Sequence, residues 1–201
     1  MPRPRSIDDS VILAAAREVF LEHGFKGTTA EVARRAGVSE GSIFNRFGNK
    51  KCLFRAALTP RIEEATWVAD LQERVGTGVV TEHLVEIGLA GVSFFQERIP
   101  MMMMAWSNAS HLGDGPPLPG RAPLELVSQL ARYFEAEIRL GRMRRVDAEI
   151  IARTFLAAVH NYAFLEVLLK KEGQMPLPVG MYIRGVVDSL WNGVSPPEGD
   201  Q

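Results

Sequence analysis

Ser39, Glu40, Gly41, Ser42, Phe44, Asn45 and Arg46 crowd into one short stretch, and most of them carry groups that hydrogen-bond. Serine and asparagine can bond base edges or phosphates, and arginine can pair with a phosphate. Ile43 and Phe47 lie four apart, so in a helix they share an inward face and leave Gly41, Ser42, Asn45 and Arg46 outside. Gly41 allows close approach to a backbone or base edge, at some cost in helix propensity. Glu40 could reject phosphate or accept from a cytosine N4. The same residues also spell G-x-S-x-G from Gly37 to Gly41, the pattern of a hydrolase nucleophile. That chemistry needs a strand before the serine, and here a helix precedes it.

The elements that must hold this stretch are legible on either side. Thr28 with Glu31 forms T-x-x-E, a capping box that opens a helix carrying Val32, Ala33 and Ala36 on one face. Gly37 can stop that helix in a left-handed conformation, and Val38 can plug the angle. Ser39 then caps a second helix, Glu40–Arg46. Two short helices joined by Gly-Val-Ser have the form of a helix-turn-helix whose second helix enters the major groove. Ile12, Ala16 and Phe20 predict a preceding helix that covers the pair.

Residues 8–55 resemble the N-terminal domain of the TetR/AcrR family of transcriptional regulators. The resemblance rests on Gly24-Phe25, Val32-Ala33, Ala36-Gly37-Val38-Ser39, Gly41-Ser42-Ile43-Phe44, Phe47 and Lys50, all in register. It implies a DNA surface built from Thr28, Ser39, Glu40, Gly41, Ser42, Phe44, Asn45, Arg46 and Lys50. The chain departs from the family's pattern in a loop one residue shorter between Gly24 and Thr28. It also has Glu40 where a DNA contact is common, Phe44 for a usual Tyr, Arg46 for a usual His or Tyr, and Lys51 for a frequent acid.

The net charge of −1 over 201 residues hides an asymmetry. Residues 1–55 carry ten Lys/Arg against six Asp/Glu, whereas residues 56–201 carry thirteen against eighteen. A basic head on an acidic body suits a molecule of which one part meets phosphate. Arg3 and Arg5 form an arm that could reach into a minor groove or along phosphates. The single cysteine, Cys52, excludes an internal disulfide and is expected as a small core residue. The histidines at 23, 83, 111 and 160 have no metal-binding spacing. Asn108-Ala109-Ser110 matches a glycosylation acceptor, which has no meaning for a protein expected in the cytoplasm. Neither a signal peptide nor an apolar stretch long enough to span a membrane is apparent.

Beyond the head, helical spacing predicts a connecting helix from Lys50 to about Asp70, kinked or shifted at Pro60. A helix from Thr81 to Arg98 should stop near Pro100, with Met101–Ala109 a short one. His111–Gly120 reads as a loop. Leu126, Leu130, Phe134 and Ile138 mark a helix ending at Gly141, and Asp147 should cap a long one bearing Ile151, Phe155, Val159 and Tyr162. Gly173–Pro178 breaks it, and Val179, Tyr182, Ile183, Val186, Val187 and Leu190 form a last stripe. The fold class is therefore all-α, roughly nine helices, with a helix-turn-helix domain at 1–55 and an effector-binding and dimerisation domain at 56–201.

The apolar wealth of the last two helices suggests a partner surface, and the resemblance implies a homodimer pairing them as a four-helix bundle. Such a dimer reads a palindromic operator in double-stranded DNA, its half-sites about 34–36 Å apart or a multiple. Met101–Met104 with Trp106 suits a pocket for variable apolar shapes, or equally a helix filling a core gap. The resemblance implies a small-molecule effector in the body; Met103, Trp106, Phe134, Phe155 and His160 are its candidate wall, and an apolar or aromatic molecule its class. The expected protein is a ligand-responsive regulator, most often a repressor in such a family, with no catalytic set and no cofactor. A sequence-indifferent architectural DNA-binding protein, and an enzyme using the helical body, are the alternatives.

Overall fold

A computed structural model describes residues 8–59, 65–112, 122–169 and 177–194, and every regular element among them is helical. The chain divides into two compact units, Met1–Pro60 with Pro100–Gly120 and Arg61–Ile99 with Arg121–Gln201.

In the first unit, the head, each helix is opened by a side chain that takes a free backbone N–H. Asp8 accepts from Ser10 at the start of α1 (Asp9–His23). Thr28 accepts from Glu31 at α2 (Thr29–Ala36), Ser39 from Ser42 at α3 (Glu40–Phe47), and Asn49 from Cys52 at α4 (Lys50–Leu58). A short 3-10 turn, Gly24–Lys26, links α1 to α2. Such caps satisfy donors that a helix cannot satisfy itself. Ile12, Ala16, Val19 and Phe20 of α1 are fully buried with Val32, Ile43, Leu53 and Phe54. Phe54 receives the edges of two rings, Phe20 at 4.8 Å and Phe25 at 5.1 Å between centroids.

Two expectations for this region change. The helix from Lys50 ends at Leu58, and Thr59 folds back so that its N–H and hydroxyl both donate to the Arg55 carbonyl. A residue before proline disfavours helical geometry, so the stop is local. The Pro60 kink itself falls outside the described residues, as do the Arg3–Arg5 arm and most of the His111–Gly120 and Gly173–Pro178 breaks. Cys52 is exposed, because the buried face of α4 is Leu53, Phe54, Ala57 and Leu58.

Pro100 does not stop its helix. α6 runs without interruption from Val80 to Ser107. A proline inside a helix costs about 3 kcal/mol, but apolar side chains are buried on both sides of it. Ile99 is buried in the body, and Met101, Met104 and Ala105 pack into the head. Burying each large side chain is worth roughly 1.5–3 kcal/mol, so together they outweigh the proline. A second 3-10 turn, Ala109–His111, follows.

In the second unit, the body, the short α5 (Thr66–Ala69) and the first part of α6 pack with α7 (Ala122–Arg139), α8 (Ala148–Leu169) and α9 (Val179–Val194). Leu130, Phe134, Phe155, Val159, Ile183 and Val187 form the centre of this core. Asp147 caps α8 as expected, accepting from Glu149 and Ile150. The apolar stripe of α9 faces this chain's own core: Ile183 and Val187 are buried, and Val179, Tyr182, Val186 and Leu190 pack against it. Val179, Tyr182, Val186 and Leu190 remain half-buried. Among the described residues, no helix is long and apolar enough to cross a membrane.

Candidate nucleic-acid interface

The turn between α2 and α3 is built from backbone rules. Gly37 takes φ 67° and ψ 31°, a left-handed conformation that glycine adopts without strain. The Gly37 N–H donates to the Arg34 carbonyl and the Val38 N–H to the Ala33 carbonyl, which closes α2. Val38 then packs inward and Ser39 starts α3. This fixes the angle between the two helices through groups that are all within a few residues.

Ile43 is buried and Phe47 packs beside it, so α3 presents Glu40, Gly41, Phe44, Asn45 and Arg46 to solvent, with Ser42 half-buried. Thr28 and Ser39, both exposed, serve as caps. The Ser39 and Ser42 hydroxyls lie 2.8 Å apart, bonded to each other. Lys50 at the start of α4 holds its ammonium 4.7 Å from the centre of the Phe25 ring, a cation–π contact.

Two contacts had no local signal. The buried Thr29 hydroxyl donates to Glu40 Oε1 at 2.5 Å, tying the start of α2 to the start of α3. Arg46 donates to Asp9 Oδ1 at 2.6 Å, tying the end of α3 to the start of α1 across 37 positions. Glu40 and Arg46 therefore also brace the recognition helix. Asn49 was missed too, although an asparagine immediately before a helix start is itself a cap signal.

The capping box is half-formed. Thr28 accepts from the Glu31 N–H at 3.2 Å, but the Glu31 carboxylate is held by Arg34 at 2.7 and 2.9 Å and by Arg35 at 2.8 Å. Arg35 in turn reaches Glu22 on α1 at 2.6 Å. These hydrogen bonds, Arg34's first and Arg35's second, lower the Glu31 carboxyl to about 2. Arg35 is raised above its ordinary value by Glu22 and then Glu31.

The five residues expected to wall an effector pocket are not brought together. Met103 and Trp106 belong to the head unit, 39% and 61% exposed. The helix continues through the methionine run, so Met101 and Met104, three apart, point into the head and Met103 points out. Phe134 and Phe155 are fully buried in the body core. His160 is half-buried among phenylalanines, with Phe95 edge-on at 5.1 Å and Phe164 stacked at 6.3 Å, and burial lowers its pKa.

A helical head with a capped, solvent-facing α3, in a chain whose second unit is also helical, defines a helix-turn-helix regulator of transcription. Comparison with known proteins carries this further. Residues 12–57 match the model for bacterial regulatory proteins of the tetR family, and residues 98–189 match the AefR-like transcriptional repressor C-terminal domain. The chain belongs to the TetR family. It is 28% identical to the HTH-type transcriptional regulator YezE of Bacillus subtilis (strain 168) over 141 residues, 68% of this chain and 66% of that one. A TetR-family regulator from Mesorhizobium loti MAFF303099 has the same fold, with a TM-score of 0.73 at 18% identity, covering 94% of this chain and 96% of that one. The regulator FadR of Bacillus subtilis, solved with stearoyl-CoA, superposes with a TM-score of 0.64 at 16% identity over 92% and 99% of the two chains.

Proposed function

We propose that this protein is a repressor released from a palindromic operator by a small apolar or aromatic molecule. In this reading residues 1–55 hold the operator and residues 56–201 bind the effector and pair two copies. The observation that carries it is the outward face of α3. Gly41, Phe44 and Asn45 stand exposed on a helix fixed at its start by Ser39 and Thr29 and at its end by Asp9. Asn45 and Ser42 read base edges, Gly41 allows close approach, and Phe44 makes apolar contact, for example with a thymine methyl. Glu40 lies beside them on the same helix. Thr28, Ser39, Arg46 and Lys50 lie at the margins, where phosphate contacts fix register.

Pairing in a homodimer through α8 and α9 would use the faces left outside the core. On α8 these are Ile150, Thr154, Ala157, Asn161 and Leu168, and on α9 Met181, Gly185 and Ser189. The small Thr154, Ala157, Gly185 and Ser189 among them suit close helix packing, and Ile150, Leu168 and Met181 supply apolar area. The stearoyl-CoA held by FadR supports an effector with a large apolar part. A full switch needs about 10⁴-fold tighter binding to the released form. A cytoplasmic location fits a protein that works on the chromosome.

Selection of sheared genomic DNA on the purified protein at near-physiological salt tests this. A recovered palindrome with half-sites about one helical turn apart, or a multiple, is expected. Equal recovery of all sequences would overturn it in favour of an architectural role.

A further inference from the structure

Trp67 on α5 carries an indole N–H that is buried and meets no acceptor. Native structures leave few buried donors unpaired, and such a donor often marks a place where something else binds. Its surroundings narrow what that could be. The Trp67 ring meets Phe94 edge-on at 5.9 Å, and Phe94 meets Phe95 at 5.4 Å. Phe95 then meets His160 at 5.1 Å, and His160 stacks on Phe164 at 6.3 Å. An unbroken line of rings thus crosses the body from α5 over α6 to α8. All four phenylalanine and tryptophan rings are partly buried against the core rather than locked within it, unlike Phe134 and Phe155.

Gly91 lies on α6 one turn before these rings. A Cβ there would stand 3.9 Å from Cζ2 and Cη2 of Trp67 and 3.0 Å from Val159 Cγ1. In an indole, Cζ2 is two bonds from Nε1, so Gly91 lies against the benzo edge on the donor's side of the ring. The ionic groups nearby are committed elsewhere. Gln96 donates its amide to Glu166, and Arg98 lies over Phe94 at 3.7 Å while donating to the Phe94 carbonyl. Burial keeps His160 from charging near neutral pH.

We propose that Trp67 is the polar anchor of an effector site walled by Phe94, Phe95, His160 and Phe164, and that the site takes an uncharged, ring-bearing molecule with one hydrogen-bond acceptor. This rests on the ligand-responsive reading above and names its site and ligand class. Aromatic walls favour ring edges and faces. A neutral N–H donor rewards a carbonyl or ether oxygen, and does not call for a charged group.

Two isosteric probes test it on the full chain: 2-acetylnaphthalene, which carries an acceptor, and 2-isopropylnaphthalene, which does not. Their affinities are measured by calorimetry for the wild type and for Trp67→Phe, which keeps an aromatic ring but loses the donor together with the five-membered part of the indole, a loss of area that both probes share. The acetyl-to-isopropyl affinity ratio is expected to fall about five- to tenfold in the variant, one hydrogen bond's worth. Phe95→Leu should weaken both probes alike, leaving the ratio unchanged. Binding of neither probe to the wild type, or a ratio indifferent to Trp67→Phe, overturns the proposal. Operator retention is read in the same samples. A Trp67-dependent ratio with operator binding unchanged would confirm the site and count against ligand-induced release.

Discussion

The head and the body solve the problem of buried polar groups in opposite ways. In the head, polar side chains serve backbone groups close by: Asp8, Thr28, Ser39 and Asn49 each cap the helix they precede. In the body, a polar network is drawn from distant segments into the interior. Fully buried Glu137 accepts from the Gly76 N–H at 3.0 Å and pairs with Arg142 at 3.2 Å. Arg142 donates to the carbonyls of Thr77 and Gly78 at 2.8 Å each, and buried Tyr133 lies 3.2 Å from His83 Nδ1. Burial, with the charge of Glu137, pushes the Tyr133 phenol above its ordinary pKa. A reader must hold one geometry, and local rules supply it cheaply. The body ties the turn before α6 to the end of α7 at one concentrated point.

Breaking that point should give the largest effect. Glu137→Ala leaves Arg142 uncompensated and the Gly76 N–H without its acceptor, and should destabilise the body by about 3–5 kcal/mol. Glu137→Gln retains an acceptor for Gly76 and should lose less. Urea denaturation followed by far-ultraviolet dichroism measures both. Equal, small losses would show that the network is merely tolerated.

The corresponding cut in the head should act on DNA rather than on stability. Asn45 is exposed and makes no side-chain hydrogen bond among the described residues. Asn45→Ala is expected to weaken operator binding by about 1–3 kcal/mol with the melting temperature unchanged. Ser42→Ala should do less, since the Ser42 hydroxyl is already bonded to Ser39. Fluorescence anisotropy on the selected operator decides. Retained affinity in Asn45→Ala would remove it from the base-reading face.

This contrast also explains how much could be read from the sequence. The Thr28 and Ser39 caps, the Gly37 stop and the inward pair Ile43 and Phe47 are signals confined to a turn or two, so the head was legible almost residue by residue. Asp147 was legible for the same reason. Glu137 and Gly76 are 61 positions apart and Tyr133 and His83 are 50, so no local pattern announces them. Pro100 misled because the breaker is local, whereas the burial of Ile99 and Met104 that overrides it is not. The α9 stripe was correctly located, but which surface covers it is a tertiary fact. Within the candidate effector wall, the helix through Pro100 leaves Met103 and Trp106 exposed, while Phe134 and Phe155 are buried in the body core.

Asn49 offers a smaller test of the local rules. Its side chain takes the Cys52 N–H at 3.0 Å where α4 begins. Asn49→Ala should cost about 1 kcal/mol, and Asn49→Gly only a few tenths. Differential scanning calorimetry of the two variants separates the loss of a cap from a change at the neighbouring Lys50. If alanine and glycine cost the same, the cap contributes nothing.

The ion network around Glu31 should give the smallest effect, because Arg34 and Glu22 stand largely in solvent, where such pairs are weak. Its signature is pH dependence. The Glu31 carboxyl lies at about 2, below its ordinary 4.5. The folded state therefore favours the ionised form, and that contribution is complete above about 4.5 and lost as pH falls towards about 2. Glu31→Gln should leave the urea midpoint nearly unchanged below about pH 2 and lower it slightly at pH 7. The acid-side slope of stability would then be shallower than in the wild type. An identical slope in both proteins would mean that Arg34 and Arg35 hold Glu31 just as firmly after unfolding, and that α2 is braced against α1 by apolar packing alone.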